Sequence, residues 1–95
     1  MKEDITYVLK KNDVFQRLGL KRIGIFGSYA RGEMYNDIDL LLDEDPGYKK
    51  REFLKQLVEN EMQVPCDVVV KNRLEPIILY YLNKDLKYVY ANHLL

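Results

Sequence analysis

No stretch of this sequence restricts the fold more than Gly27-Ser28-Tyr29-Ala30-Arg31-Gly32-Glu33, followed at short range by Asp37-Ile38-Asp39. The apolar run Ile23-Gly24-Ile25-Phe26 leads in, and Leu40-Leu41-Leu42 leads out. Together they read as a buried strand, a tight glycine turn, a helix start and a second buried strand that opens with two carboxylates. A Gly-Ser turn at a helix N-terminus offers free backbone N–H groups and a hydroxyl, which suit phosphate oxygens. Aspartates at i and i+2 of a strand share a face, roughly 6–7 Å apart along it. Such a pair repels itself unless a cation lies between, and hard oxygen ligands favour Mg²⁺. A phosphate cradle beside a carboxylate pair is equipment for phosphoryl or nucleotidyl transfer.

The remaining elements follow from apolar spacing and turn chemistry. Ile5, Val8, Leu9, Phe15 and Leu18 fall near helical spacing, with Asn12-Asp13 as an interruption and new N-cap, and Gly19 closing the helical region. The first strand is expected over 21–26, a short helix over 28–32 and the second strand over 36–42. Asp43-Glu44-Asp45-Pro46-Gly47 is a loop by composition. In 48–62, Phe53, Leu54, Leu57, Val58 and Met62 form one stripe and predict an amphipathic helix. A third strand is expected over 64–70, with Pro65 near its start, where a missing N–H is tolerated. A last helix over 75–83 carries Pro76 in its first turn. The segment 86–90 fits either a short edge strand, the preferred reading, or a continuation of that helix. The order gives a small α/β domain spanning residues 1–95, with helices on one face of a short mixed sheet and the site on the other.

The fuller string from Phe26 to Glu33, with Asp37-Ile38-Asp39-Leu40, resembles the signature of the DNA polymerase β-type nucleotidyltransferase superfamily, in particular its minimal nucleotidyltransferase (MNT) branch. The match covers residues 19–42 well and the rest by pattern. The spacer between Ser28 and Asp37, eight residues here, is shorter than is usual in that branch. The resemblance implies the small nucleotidyltransferase fold and two Mg²⁺ ions held by Asp37, Asp39 and a third acid on a neighbouring strand. Asp67, within Val64-Pro65-Cys66-Asp67-Val68-Val69-Val70, is the candidate. A charge amid a β-branched run is costly unless it is paired or bound to metal, although an edge-strand acid facing solvent is the alternative. In the family the matching acid also accepts a proton from the attacking hydroxyl. Gly27 and Ser28 would hold phosphates of ATP. Arg31, one helical turn from Ser28, is left three roles: touching the triphosphate, bracing the carboxylates or anchoring the turn. Glu33 is expected to cap or to pair with Arg31.

The resemblance further implies transfer of AMP from ATP to a tyrosine hydroxyl of a HEPN-family toxin, which makes the chain a protein-AMPylating antitoxin. Its length supports this: 95 residues supply a nucleotide and metal site with little left to enclose an acceptor. Two alternatives stay open. The chain could neutralise its partner by masking without catalysis, which the short spacer favours, or serve as catalytic subunit of an antibiotic-type nucleotidyltransferase. A nucleic-acid polymerase or tRNA-modifying domain is disfavoured, because fifteen basic and fifteen acidic side chains leave no net field for gripping long nucleic acid.

A single cysteine, Cys66, permits no internal disulfide and reads as a small core residue. With no signal-like segment and no apolar run of membrane length, the expected location is the cytoplasm. Among eight tyrosines, Tyr29 and Tyr35 flank the expected site and could stack on a base. Tyr80, Tyr81, Tyr88 and Tyr90 suit either packing or a protein interface, in a homo- or hetero-oligomer. Glu3, Asp4 and the acids of the 43–45 loop lie where water reaches them, and His93 carries no catalytic case.

Overall fold

The computed structural model describes residues 4–91; Glu3 and His93 lie outside that range. Helix α1 (Ile5–Lys11) begins at Asp4, whose carboxylate accepts the Thr6 N–H. It breaks where expected. Asp13 takes the left-handed conformation at φ 56°, and α2 (Val14–Leu18) then ends on Gly19 at φ 71°. β1 (Arg22–Phe26), α3 (Gly27–Ala30), β2 (Ile38–Leu42) and α4 (Tyr48–Met62) follow. β3 (Cys66–Val70), a single 3₁₀ turn (Lys71–Arg73), α5 (Pro76–Leu82) and β4 (Lys87–Tyr90) complete the order. The preferred reading of 86–90 is therefore borne out as a strand.

The four strands form one mixed sheet in the order β3-β2-β1-β4. β1 runs antiparallel to both its neighbours, β2 and β4, while β2 and β3 are parallel and joined through α4. A parallel pair cannot be closed by a hairpin, and α4 supplies the crossover. Strand alternation then sorts the side chains. Ile23, Ile25, Ile38, Leu40, Leu42 and Cys66 turn to one face, where α1, α2 and α4 bring Val8, Leu9, Val14, Leu54 and Val58 into the same core. Ile38, between the two aspartates, is fully buried there. Each fully buried leucine or isoleucine contributes about 1.5–3 kcal/mol, and removing one to alanine costs about 2–5 kcal/mol. Phe53 departs from the expected stripe: it is exposed, with the Arg17 guanidinium over its ring, while Leu54, Val58 and Met62 alone seat α4 fully.

The opposite face of the sheet carries Gly24, Phe26, Asp39, Leu41, Asp67 and Val69 by the same alternation. It is partly covered. A Cβ on Gly24 would lie 2.7 Å from Leu86 Cδ1, so the glycine admits the segment between α5 and β4 against the sheet. α5 borders this face, anchored by Leu82, the one buried residue of the helix. The 43–47 loop is pinned by Asp45, which accepts from the Gly47 N–H and pairs with Arg51 and Arg73. These three partners hold the Asp45 carboxyl below its ordinary range, the Gly47 N–H most. No helix among the described residues is long and apolar enough to cross a membrane.

Candidate active site

The turn between β1 and α3 is built around Gly27. At φ 79° it occupies backbone space that disfavours a side chain. A Cβ there would stand 2.4 Å from Asp39 Oδ2. The turn therefore lies directly against the carboxylate, and the short spacer still brings Asp39 onto it. Two turn bonds compress that spacer: the Gly32 N–H donates to the Tyr29 carbonyl and the Glu33 N–H to the Ser28 carbonyl, both at 3.1 Å. The Ser28 hydroxyl makes no hydrogen bond to a described residue. The first N–H groups of α3 have no partner within the helix, as at any helix start.

Two of the three acids, Asp39 and Asp67, come together across a strand pair. Asp39 stands opposite Phe26 on β1 and in register with Asp67 on β3. Asp37 lies in the bend just ahead of β2, so the strand begins two residues later than expected. The Ile38 N–H fixes that bend by donating to the Pro65 carbonyl at 2.9 Å, just before β3. Asp39 is half-buried, whereas Asp37 and Asp67 are exposed. Asp67 sits on an edge strand, as the solvent-facing alternative required, yet it turns to the same face as Asp39. Burial first, and then the charges of Asp37 and Asp67, raise the Asp39 carboxyl above its ordinary value.

No described cation or hydrogen-bond donor pairs with these three side chains. Nor do they form a ready-made cage: among the described residues, no group of three acidic, histidine or cysteine side chains is close enough to hold a metal ion. Mutually repelling carboxylates with no protein cation between them have the donor chemistry that a hard divalent ion takes up, and such an ion would draw them together.

Asp39, Asp67, Gly27 and Phe26 line a cleft of about 400 Å³ whose far wall is apolar, formed by Leu74, Ile78, Tyr81 and Leu82. A mostly apolar cavity with a few convergent polar groups is the usual form of a small-molecule site. A larger cleft, of about 580 Å³, lies beside α1 and β4 and contains none of the three acids. Size and acidity therefore point to different clefts, and Asp39 and Asp67 make the smaller one the candidate.

Tyr29 and Tyr35 do not stack in the acidic cleft. They line the larger one and pack edge-to-face with ring centroids 4.7 Å apart. The Tyr29 hydroxyl accepts the Ile5 N–H at 3.0 Å and donates to Asp4 Oδ1 at 3.1 Å, latching α1 to α3. The aromatic side chain that does reach the acidic cleft from α5 is Tyr81. Arg31 takes an anchoring position: Nε pairs with Glu33 Oε1 at 3.0 Å and Nη1 donates to Asp85 Oδ2 at 2.6 Å. The pairing with Glu33 is as expected. Asp85 escaped the sequence reading, since nothing in Asn83-Lys84-Asp85 distinguishes it from an ordinary helix-ending turn. Cys66 is buried, as the core reading expected, with its thiol pushed up to about 12, chiefly by desolvation, which disfavours the thiolate.

Comparison with known proteins bears on the family and the fold. The family model for the nucleotidyltransferase domain matches residues 9–89. A protein adenylyltransferase, MntA, of Thermococcus cleftensis is 33% identical over 93 residues, covering 92% of this chain and 94% of that protein. Among solved structures, a mutant MntA–HpeT toxin–antitoxin complex superposes with a TM-score of 0.66 at 20% identity, covering 88% of this chain and 72% of the other. A toxin–antitoxin complex with AMP-PNP gives a TM-score of 0.66 at 21% identity, covering 90% and 74%. At that identity the solved structures speak for the fold.

Proposed function

Since this chain belongs to the nucleotidyltransferase domain family, we propose that it transfers AMP from ATP to a tyrosine hydroxyl of a HEPN-type toxin and so acts as its antitoxin in the cytoplasm. The observation that carries the proposal is the placement of Asp39, pressed against the Gly27 turn on one side and in register with Asp67 on the other. The relative named as a protein adenylyltransferase and the structural likeness to toxin–antitoxin complexes support the choice of acceptor.

In this reading the backbone N–H groups after Gly27 and the Ser28 hydroxyl bind the β- and γ-phosphates. The apolar wall of Leu74, Ile78 and Tyr81 takes the less polar end of the nucleotide and excludes water. Asp37, Asp39 and Asp67 would hold two Mg²⁺ ions, which supply charge neutralisation for the triphosphate and polarise the acceptor hydroxyl. The acceptor oxygen attacks the α-phosphorus in line, the bond to the β-phosphate breaks, and pyrophosphate leaves. Asp67, more exposed than Asp39, accepts the hydroxyl proton at its carboxylate. The family chemistry requires no covalent enzyme intermediate.

Masking without catalysis is the second reading, favoured by α5, where Ile77, Ile78, Tyr80 and Tyr81 are all exposed. A dose series separates the two. Substoichiometric chain with Mg-ATP should silence a co-expressed HEPN toxin, because each turnover releases the antitoxin. Asp67→Asn should lose that low-dose protection while still binding the toxin. Full low-dose protection by Asp67→Asn would remove Asp67 from the mechanism, and protection only at equal dose without ATP would establish the mask.

A further inference from the structure

One ion pair joins the α5 side of the acidic cleft to Arg31, the residue that ends α3. Asp85 follows α5, held in a turn by its N–H to the Leu82 carbonyl at 3.1 Å, and its side chain lines the cleft beside Asp39 and Asp67. Across 54 residues of sequence it meets Arg31 at 2.6 Å, immediately after the phosphate-side turn. Arg31 is fixed from its other edge by Glu33, so the guanidinium is held at two points and cannot follow Asp85 freely. The α5 wall needs such a tether. Leu82 is the one buried residue of that helix, and the following Leu86 rests over Gly24.

We infer that Asp85 is a positioning residue: through Arg31 it ties the α5 wall to the Gly27-Ser28 turn and so sets how tightly the cleft closes on a nucleotide. The inference rests on the cleft being the nucleotide site, as proposed above. Asp85 touches no reacting atom in this role. Arg31, shared with Glu33, offsets part of the Asp85 charge.

The test uses calorimetric titration of Mg-AMP-PNP into the full chain, together with amide hydrogen exchange of α5 in the nucleotide-free protein. Asp85→Ala should weaken binding about fivefold and speed exchange in α5, and Asp85→Glu should restore affinity to within about twofold. In an Arg31→Ala background, Asp85→Ala should cost nothing more, since the tether is already cut. Unchanged or tighter binding by Asp85→Ala, or losses that multiply in the double variant, would overturn the inference. Should AMP-PNP fail to bind the wild-type chain, the nucleotide reading falls by itself. The exchange data then still decide the tether, and unaltered α5 exchange in Asp85→Ala would refute it.

Discussion

Replacing Gly27 with alanine isolates what the turn contributes. Two costs can be told apart. The first is backbone strain, since an L-residue at φ 79° pays about 1–2 kcal/mol. The second is the new Cβ, which would stand 2.4 Å from Asp39 Oδ2 and must drive that carboxylate aside. Moving a short side chain off its preferred rotamer costs about 0.5–1.5 kcal/mol. Gly19 provides the control: it has φ 71° and nothing within 4 Å of its would-be Cβ, so Gly19→Ala pays the backbone cost alone. At about 4–8 °C per kcal/mol for a domain of this size, both variants should melt lower, with Gly27→Ala about 2–12 °C below Gly19→Ala. Activity should divide them sharply. Gly19→Ala should transfer AMP normally once folded, whereas Gly27→Ala, with Asp39 displaced, should lose transfer by at least about a hundredfold, the penalty for a misplacement of about 1 Å. Circular dichroism melts and labelled-ATP transfer measure the two effects. Equal activity in the two alanine variants would refute the claim that the turn and Asp39 form one site.

Asp39→Asn should abolish transfer yet stabilise the nucleotide-free fold by about 0.2–1 kcal/mol in denaturant titration, by removing one of two like charges in cross-strand register. Because the folded-state value of Asp39 is raised, the wild-type fold binds a proton that the unfolded chain has released. Stability therefore falls as pH rises from the ordinary 3.8 through the raised value, and Asp39→Asn should erase that descent. Ser28→Ala should leave melting unchanged and weaken Mg-ATP binding by about 1.5–3 kcal/mol, the scale of a hydrogen bond to a charged group; unaltered affinity would place the phosphates elsewhere. Asp45 has the opposite sign: its lowered value gives stability above the ordinary 3.8 that is lost as pH falls through the lowered one. Asp45→Asn should flatten that acid limb in pH-dependent melts, and a wild-type limb would show that neither the Gly47 N–H nor the arginine pairs stabilise the fold through Asp45.

Much of the fold was legible because strong local signals agreed with the tertiary arrangement. Asn12-Asp13 broke a helical stripe, Gly19 closed it, and Pro76 opened α5, all through backbone chemistry that needs no distant partner. The turn and the two close aspartates were readable for the same reason, since their spacing is local. What failed to show was long-range. Tyr29 sits one residue after Ser28, yet its hydroxyl is claimed by Ile5 and Asp4, 24 and 25 residues away, so proximity to the motif misdirected the reading. Asp85 could not be found from Asn83-Lys84-Asp85, because its meaning depends on Arg31, 54 residues away in sequence. Phe53 satisfied the period of α4 but fell at the edge of the buried stripe, where Arg17 covers it instead of the core. Asp67 was placed by its β-branched neighbours, and its charge is tolerated there because β3 is an edge strand that leaves the side chain exposed.

The central claim is that the Gly27 turn and the three aspartates form one metal-dependent nucleotide site. Calorimetric titration of ATP with Mg²⁺, repeated with EDTA and with Asp39→Asn, tests it most directly. The account predicts saturable one-site binding by the wild-type chain that collapses both when Mg²⁺ is chelated and when Asp39 is neutralised. Equal affinity in all three titrations would contradict it.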